Sequence, residues 1–391
     1  MSQGTGFNER TLLTDIKNLR LYFSDCLVIE TARADYRFQL IDPQKYAKEK
    51  RTLIASEPLF VIVESILVNK LLSFEEWADR LFLSESSMRR HLLHLSKVLK
   101  SYQLEISLNP VDLIGEEVNI RKFFKDFYYE ADEISPFSLE PFVEIDELLR
   151  VIEENLHHAA SGTDTLPTDF YYKFYIMIQR SGKKNYLNLS KLENMDWRSD
   201  VNYQYFLSLK PKIRNYYGFE ILDQELLGLY LFSICKRTID SPLKEQVFVQ
   251  QFNLWLNLKV LTETFLQDYA PFLLGPQYPA AILIESFFTS VNYLHLIGPI
   301  MNKNIREVNE YAQVLYQEKY HRTLSILNEH WELLGIDSPY QEDIAVSLVL
   351  IVEAIRDTYV SNKKICFRVV RFLLYLSKCE SKNYTLFQWL S

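Results

Sequence analysis

One apolar spacing occurs twice in this chain at an offset of 76 residues, and it constrains the fold of the first third more than any other feature. Leu12, Ile16, Leu19 and Phe23 form the first set; Met88, Leu92, Leu95 and Leu99 form the second. The i, i+4, i+7, i+11 pattern places each set along one side of an α-helix. Each set opens on a polar helix start, Asn8 to Thr11 and Ser84 to Ser87, where a short side chain can accept from the exposed amides of the first turn. A hairpin candidate follows each. Leu27 to Glu30 and Tyr36 to Ile41 flank one polar turn, and Leu104 to Ser107 and Val111 to Ile114 flank Asn109-Pro110. Helix followed by β-wing, twice, predicts two winged helix-turn-helix modules.

Composition narrows the alternatives. A chain of 391 residues with 48% apolar side chains can build about two to four cored domains. Ten glycines are few for an architecture that spends glycine on phosphate loops, so the expectation is a mainly α protein. No run of 18 apolar residues is read, and the N-terminus lacks an apolar signal core, so neither a membrane span nor export is expected. Cys26, Cys235, Cys366 and Cys379 form no CxxC pair and read as reduced thiols of a cytoplasmic protein.

The net charge of −8 is unevenly spread. Residues 1–125 hold 18 Lys+Arg against 17 Asp+Glu, whereas the remainder holds 25 against 34. Within the neutral third, Ser84 to Lys100 is locally basic: Arg89, Arg90, Lys97 and Lys100 face only Glu85. On a helical projection these cations, with Ser86, Leu93 and His94, lie opposite the Met88 stripe. That arrangement suits a recognition helix, which seats on its oily side and offers donors to base edges and phosphates on the other. An amphipathic bundle helix with a solvated basic face would show the same spacing. The preceding segment, Ser73 to Leu83, supplies a partner helix with a capping box between Ser73 and Glu76 and apolar contacts at Phe74, Trp77, Ala78 and Leu81.

The run Leu72-Ser73-Phe74, then Phe82-Leu83-Ser84-Glu85-Ser86-Ser87-Met88-Arg89-Arg90, and Leu113-Ile114-Gly115-Glu116-Glu117 with Ile120-Arg121, resembles the second DNA-binding domain of the Mga and RofA-like transcription regulators. The resemblance implies DNA contacts from Ser84, Ser86, Ser87, Arg89, Arg90, His94, Lys97 and Lys100. Gly6 to Leu13 resembles the recognition element of a first helix-turn-helix, implying a second contact through Arg10, Thr14, Lys17 and Asn18. Its exposed stripe would be unfavourable by roughly 1.5 to 3 kcal/mol per side chain. It is therefore expected to pack on its own wing and on a helix over Leu59 to Leu67, or across a dimer.

A second repeat, at an offset of 117, pairs Gly218-Phe219-Glu220 and Gln224-Glu225 with Gly335-Ile336-Asp337 and Gln341-Glu342. Each leads into a long apolar helix, Leu226 to Arg237 and Ile344 to Arg356, which predicts two helical bundles meeting near Ser241-Pro242. By the resemblance these are similar to phosphotransferase-system regulation domains, which implies histidine phosphorylation by phosphocarrier proteins and control of a homodimer. The first such domain departs from the family at Arg180-Ser181-Gly182, where an Arg-His pair is usual; His295 and His321 are left as phosphorylation candidates in the second. Lys363 to Phe367 resembles the opening strand of a IIB-like domain, with an apolar tail after it.

No GxGxxG, GxxxxGK[ST], HExxH or GxSxG motif and no metal-ligand spacing is present, so neither an enzyme nor a cofactor or metal is expected. The organisation expected is a partial first winged helix-turn-helix over 1–57, a second over 58–135, PRD-like bundles over 136–242 and 243–361, and a tail over 362–391. The function expected is a dimeric transcription regulator bound to double-stranded DNA. The competing class is an interaction scaffold that has lost DNA binding, favoured by the overall acidity.

Overall fold

The computed structural model describes residues 9–31, 36–130, 167–192, 195–237, 239, 241–298, 306–336 and 340–360. The expected tail over 362–391, with Cys366 and Cys379, and the start of the first bundle over 136–166 lie outside the described residues. The chain forms two compact units. One takes in the described residues up to Leu95 with 108–112 and 128–130; the other takes in 96–107, 113–127 and the described residues from 167 onward.

The first unit opens with α1 (Glu9–Tyr22), followed by β1 (Leu27–Thr31) and β2 (Tyr36–Leu40). The strands pair antiparallel from Leu27 opposite Leu40 to Thr31 opposite Tyr36. Ile16, Phe23, Cys26, Leu27 and Ile29 make a small core. The helix that closes it is α2 (Pro43–Ala55), through Tyr46 and Leu53, and not the expected segment Leu59 to Leu67. The reason is local. Only Ile41 and Asp42 separate β2 from α2, and Asp42 caps α2 by accepting from the Lys45 amide at 3.0 Å, so the Tyr46 ring meets Phe23 with centroids 5.1 Å apart. Leu59 to Leu67 instead lies in α3 (Pro58–Leu67), a separate helix opened by Pro58 at its first turn.

Next come α4 (Phe74–Arg80) and α5 (Glu85–Ser101), then β3 (Glu105–Leu108) and β4 (Val111–Ile114), which form a two-stranded sheet, and α6 (Glu117–Glu130). Helices α4 and α5 and strands β3 and β4 fall within about two residues of the segments read in the sequence, with Phe82 in the turn after α4, whereas α6 had no helix expected for it. The capping box is formed: Ser73 Oγ accepts from the Glu76 amide at 3.2 Å, and the Ser73 amide donates to Glu76 Oε2 at 2.7 Å.

The second unit is helical. Its elements are α7 (Pro167–Ser181), α8 (Val201–Leu207), α9 (Lys210–Tyr217), α10 (Asp223–Cys235), α11 (Pro242–Phe252), α12 (Leu256–Tyr269), α13 (Ala280–Ile297), α14 (Arg306–Leu315), α15 (Gln317–Glu329), α16 (Trp331–Leu334) and α17 (Gln341–Ile355). The two repeat glycines have one job. Gly218 ends α9 at φ 75° and Gly335 ends α16 at φ 73°, left-handed caps that a Cβ would strain. Each cap releases the chain into a largely buried helix, α10 and α17.

Helix α13 is the centre of the larger core, in which Ile284, Phe287 and Phe288 pack with Leu261 and Phe265 of α12 and with Leu348 and Val352 of α17. By length and composition α13 is apolar enough to cross a bilayer, which the sequence reading had not foreseen; 72% of it is buried in the fold. Cys26 and Cys235 are free thiols, both buried.

A charged cluster ties the start of α6 into this unit. Glu225, fully buried at the start of α10, accepts from Arg121 Nη1 at 2.6 Å, Ser181 Oγ at 2.8 Å and the Leu187 amide at 2.7 Å. Glu117 accepts from Arg180 at 2.6 and 2.9 Å and from Arg121 at 2.8 Å. Arg180 and Ser181, the residues at which an Arg-His pair was looked for, are thus committed to the carboxylates of Glu117 and Glu225 respectively.

Candidate nucleic-acid interface

Helix α5 is amphipathic because its two faces meet different surroundings. Met88, Leu92, Leu95 and Leu99 are each at most 5% exposed, whereas Ser86, Arg89, Arg90, Lys97 and Lys100 are exposed on the other side. His94 and Ser87 are half-buried. The arginines are held by short-range packing: the Arg89 guanidinium lies 5.0 Å from the Phe74 ring centre, and in α4 the Arg80 guanidinium lies 5.6 Å from Trp77.

The amino end of α5 is organised by its serines. Ser84 Oγ accepts from the Ser87 amide at 3.2 Å, the N-cap bond, and lies 3.0 Å from both Ser86 Oγ and Ser87 Oγ. Ser84 is therefore engaged in capping, while Ser86 faces outward beside it. His91, half-buried on the next turn, has its imidazole held below the ordinary histidine value by burial and then by the charges of Arg90 and His94.

Two large apolar residues stand exposed at this surface. Phe82, in the turn between α4 and α5, adopts φ 53° and is 96% exposed. Leu93 is 58% exposed between the basic residues of α5. Helical spacing places Leu93 on the outer face; nothing in the sequence signals the left-handed backbone at Phe82.

In the first module Thr14, Lys17 and Asn18 are exposed on α1, and Arg10 lies in its first turn. Arg20 is turned toward the wing, its Nε donating to the Ile29 carbonyl at 2.8 Å and its Nη2 to Thr31 Oγ1 at 2.7 Å. In the second unit His321 is exposed on α15, whereas His295 on α13 is half-buried with Nδ1 sealed from solvent. Among the described residues no group of three His, Cys, Asp or Glu side chains could hold a metal ion.

Residues 48–128, which contain α3, α4, α5, the wing and most of α6, match the Mga helix-turn-helix domain. The chain is also 28% identical over 147 residues to a protein of Streptococcus pneumoniae serotype 4 (strain ATCC BAA-334 / TIGR4) named "Putative trans-acting regulator". That alignment covers 36% of this chain and 30% of the relative's length. The capped helix pair and its wing lie inside the stretch that is similar to the Mga helix-turn-helix domain.

Proposed function

We propose that this protein is a DNA-binding transcription regulator that acts in the cytoplasm and docks α5 in the major groove of double-stranded DNA. The observation that carries the reading is the exposed row Arg89, Arg90, Lys97 and Lys100 opposite a fully buried stripe, on the helix that the family match contains. In this reading Arg89, Lys97 and Lys100 contact phosphates, and Ser86, Ser87, Arg90 and His94 face base edges. Ser84 contributes by ordering the first turn. The exposed groups of α1, Thr14, Lys17 and Asn18, make a weaker second contact.

The regulator works as a homodimer with its two α5 helices on half-sites about 34 Å apart or a multiple of that. Phosphorylation by phosphocarrier proteins acts on His321, whose imidazole is open to a donor, rather than on His295. The test is a selection of binding sites from random duplex followed by footprinting of the selected site. A periodic footprint that Arg90→Ala weakens is expected. Retrieval of no preferred sequence would favour the scaffold class instead.

A further inference from the structure

One large apolar side chain stands in the middle of the helix face that the function above directs at DNA. Leu93 is the ninth of the 17 residues of α5 and is 58% exposed. On a helix surface the nearest neighbours of a residue lie three and four positions away. For Leu93 these are Arg89 and Arg90 toward the amino end, and Ser96 and Lys97 toward the carboxyl end. Ser86 and Lys100 follow two turns away on either side. The core side of the helix is filled by Met88, Leu92, Leu95 and Leu99, and Leu93 lies outside it.

A single exposed leucine is ordinary on a protein surface and implies nothing by itself. The surroundings of Leu93 give it a consequence. Cations before and after it along the helix attract a polyanion, and a duplex drawn to Arg89, Arg90 and Lys97 closes over the leucine between them and takes it out of water. Leucine offers neither donor nor acceptor, so a polar base edge beneath it is left without a partner, at a cost. The apolar group that a base pair presents in the major groove is the C5-methyl of thymine.

We infer that Leu93 is a specificity-determining residue that covers the C5-methyl of one thymine in the major groove, an inference that rests on the DNA-binding reading of α5. The test compares thymine with uracil, which pairs identically and lacks only that methyl. The full chain is titrated with its selected duplex and with a set in which each thymine in turn is replaced by uracil. At one position the replacement should weaken binding about fourfold, the effect of leaving one methyl-sized group unburied. Leu93→Ala should bind the thymine duplex about fourfold more weakly and no longer distinguish thymine from uracil at that position, with an unchanged melting point, since alanine suits an exposed helical site. Leu93→Met should keep the distinction, as should Leu256→Ala, which removes an exposed leucine from α12. Three results would overturn the inference while leaving duplex binding in place: no position sensitive to uracil, discrimination retained by Leu93→Ala, or equal loss of it in Leu256→Ala. A change in the molar mass of the DNA-free chain on Leu93→Ala would assign the residue to a contact between copies and overturn it as well. Failure of the full chain to select any duplex would remove the DNA-binding reading and the inference together.

Discussion

The leading helices of the two modules carry the same stripe but sit in their surroundings to different depths. In α5 all four stripe residues are buried; in the first module Ile16 of α1 and Phe23 just after it are buried while Leu12 and Leu19 are only half covered. Their outer faces differ as well. Helix α5 shows four cations, whereas α1 shows Asp15 beside Lys17 and spends Arg20 on fastening its own wing. An apolar period fixes how a helix is seated, and the charge on the opposite side decides what the seated helix can bind.

Core truncation should separate the modules most. Leu92→Ala should cost about 2–5 kcal/mol of stability, while Leu12→Ala, at a half-covered site, should cost about 1 kcal/mol or less, both measured by urea unfolding. Equal costs would mean that the two stripes are equivalent after all. On the outer face, Arg90→Ala should lose about 1–3 kcal/mol of specific duplex affinity, and Lys17→Ala about 0.5 kcal/mol or less, read by fluorescence anisotropy. A reversed order would make α1 the principal reader.

A smaller effect concerns the turn. Phe82 holds a left-handed backbone with almost no burial to offset it, so Phe82→Asn should raise stability by up to about 1 kcal/mol. A loss instead would show that the ring packs in solution. The smallest effect is a pH dependence. The fold holds His91 below its ordinary pKa, so the unfolded chain takes up protons more readily as pH falls below about 6.5. Stability should therefore decline on the acid side of that value, and His91→Gln should flatten the decline. The described part of α1 and its wing contains no histidine, so the term belongs to the second module.

These contrasts also mark what could be read in the sequence. Stripes at i+4 and i+7, the Ser73 cap, both wings and the glycines at 218 and 335 depend on residues a few positions apart, and they appear in the structure where the spacing puts them. Helix α2 was missed because only Tyr46, Leu53 and Ile54 interrupt its charged run with large apolar residues. The buried cluster of Glu117, Arg121, Arg180 and Glu225 joins residues as many as 104 positions apart, a separation at which no periodic signal survives. The conformation of Phe82 contradicts the preference of its own side chain, so only the surrounding chain could reveal it.

The most direct measurement is duplex affinity against salt concentration for the full chain and for Lys97→Ala. If α5 meets the phosphates, log affinity should fall linearly with log salt, and the variant should lower the steepness of that line by about one unit. A line that is flat, or equally steep with and without Lys97, would contradict the assignment of this helix to DNA.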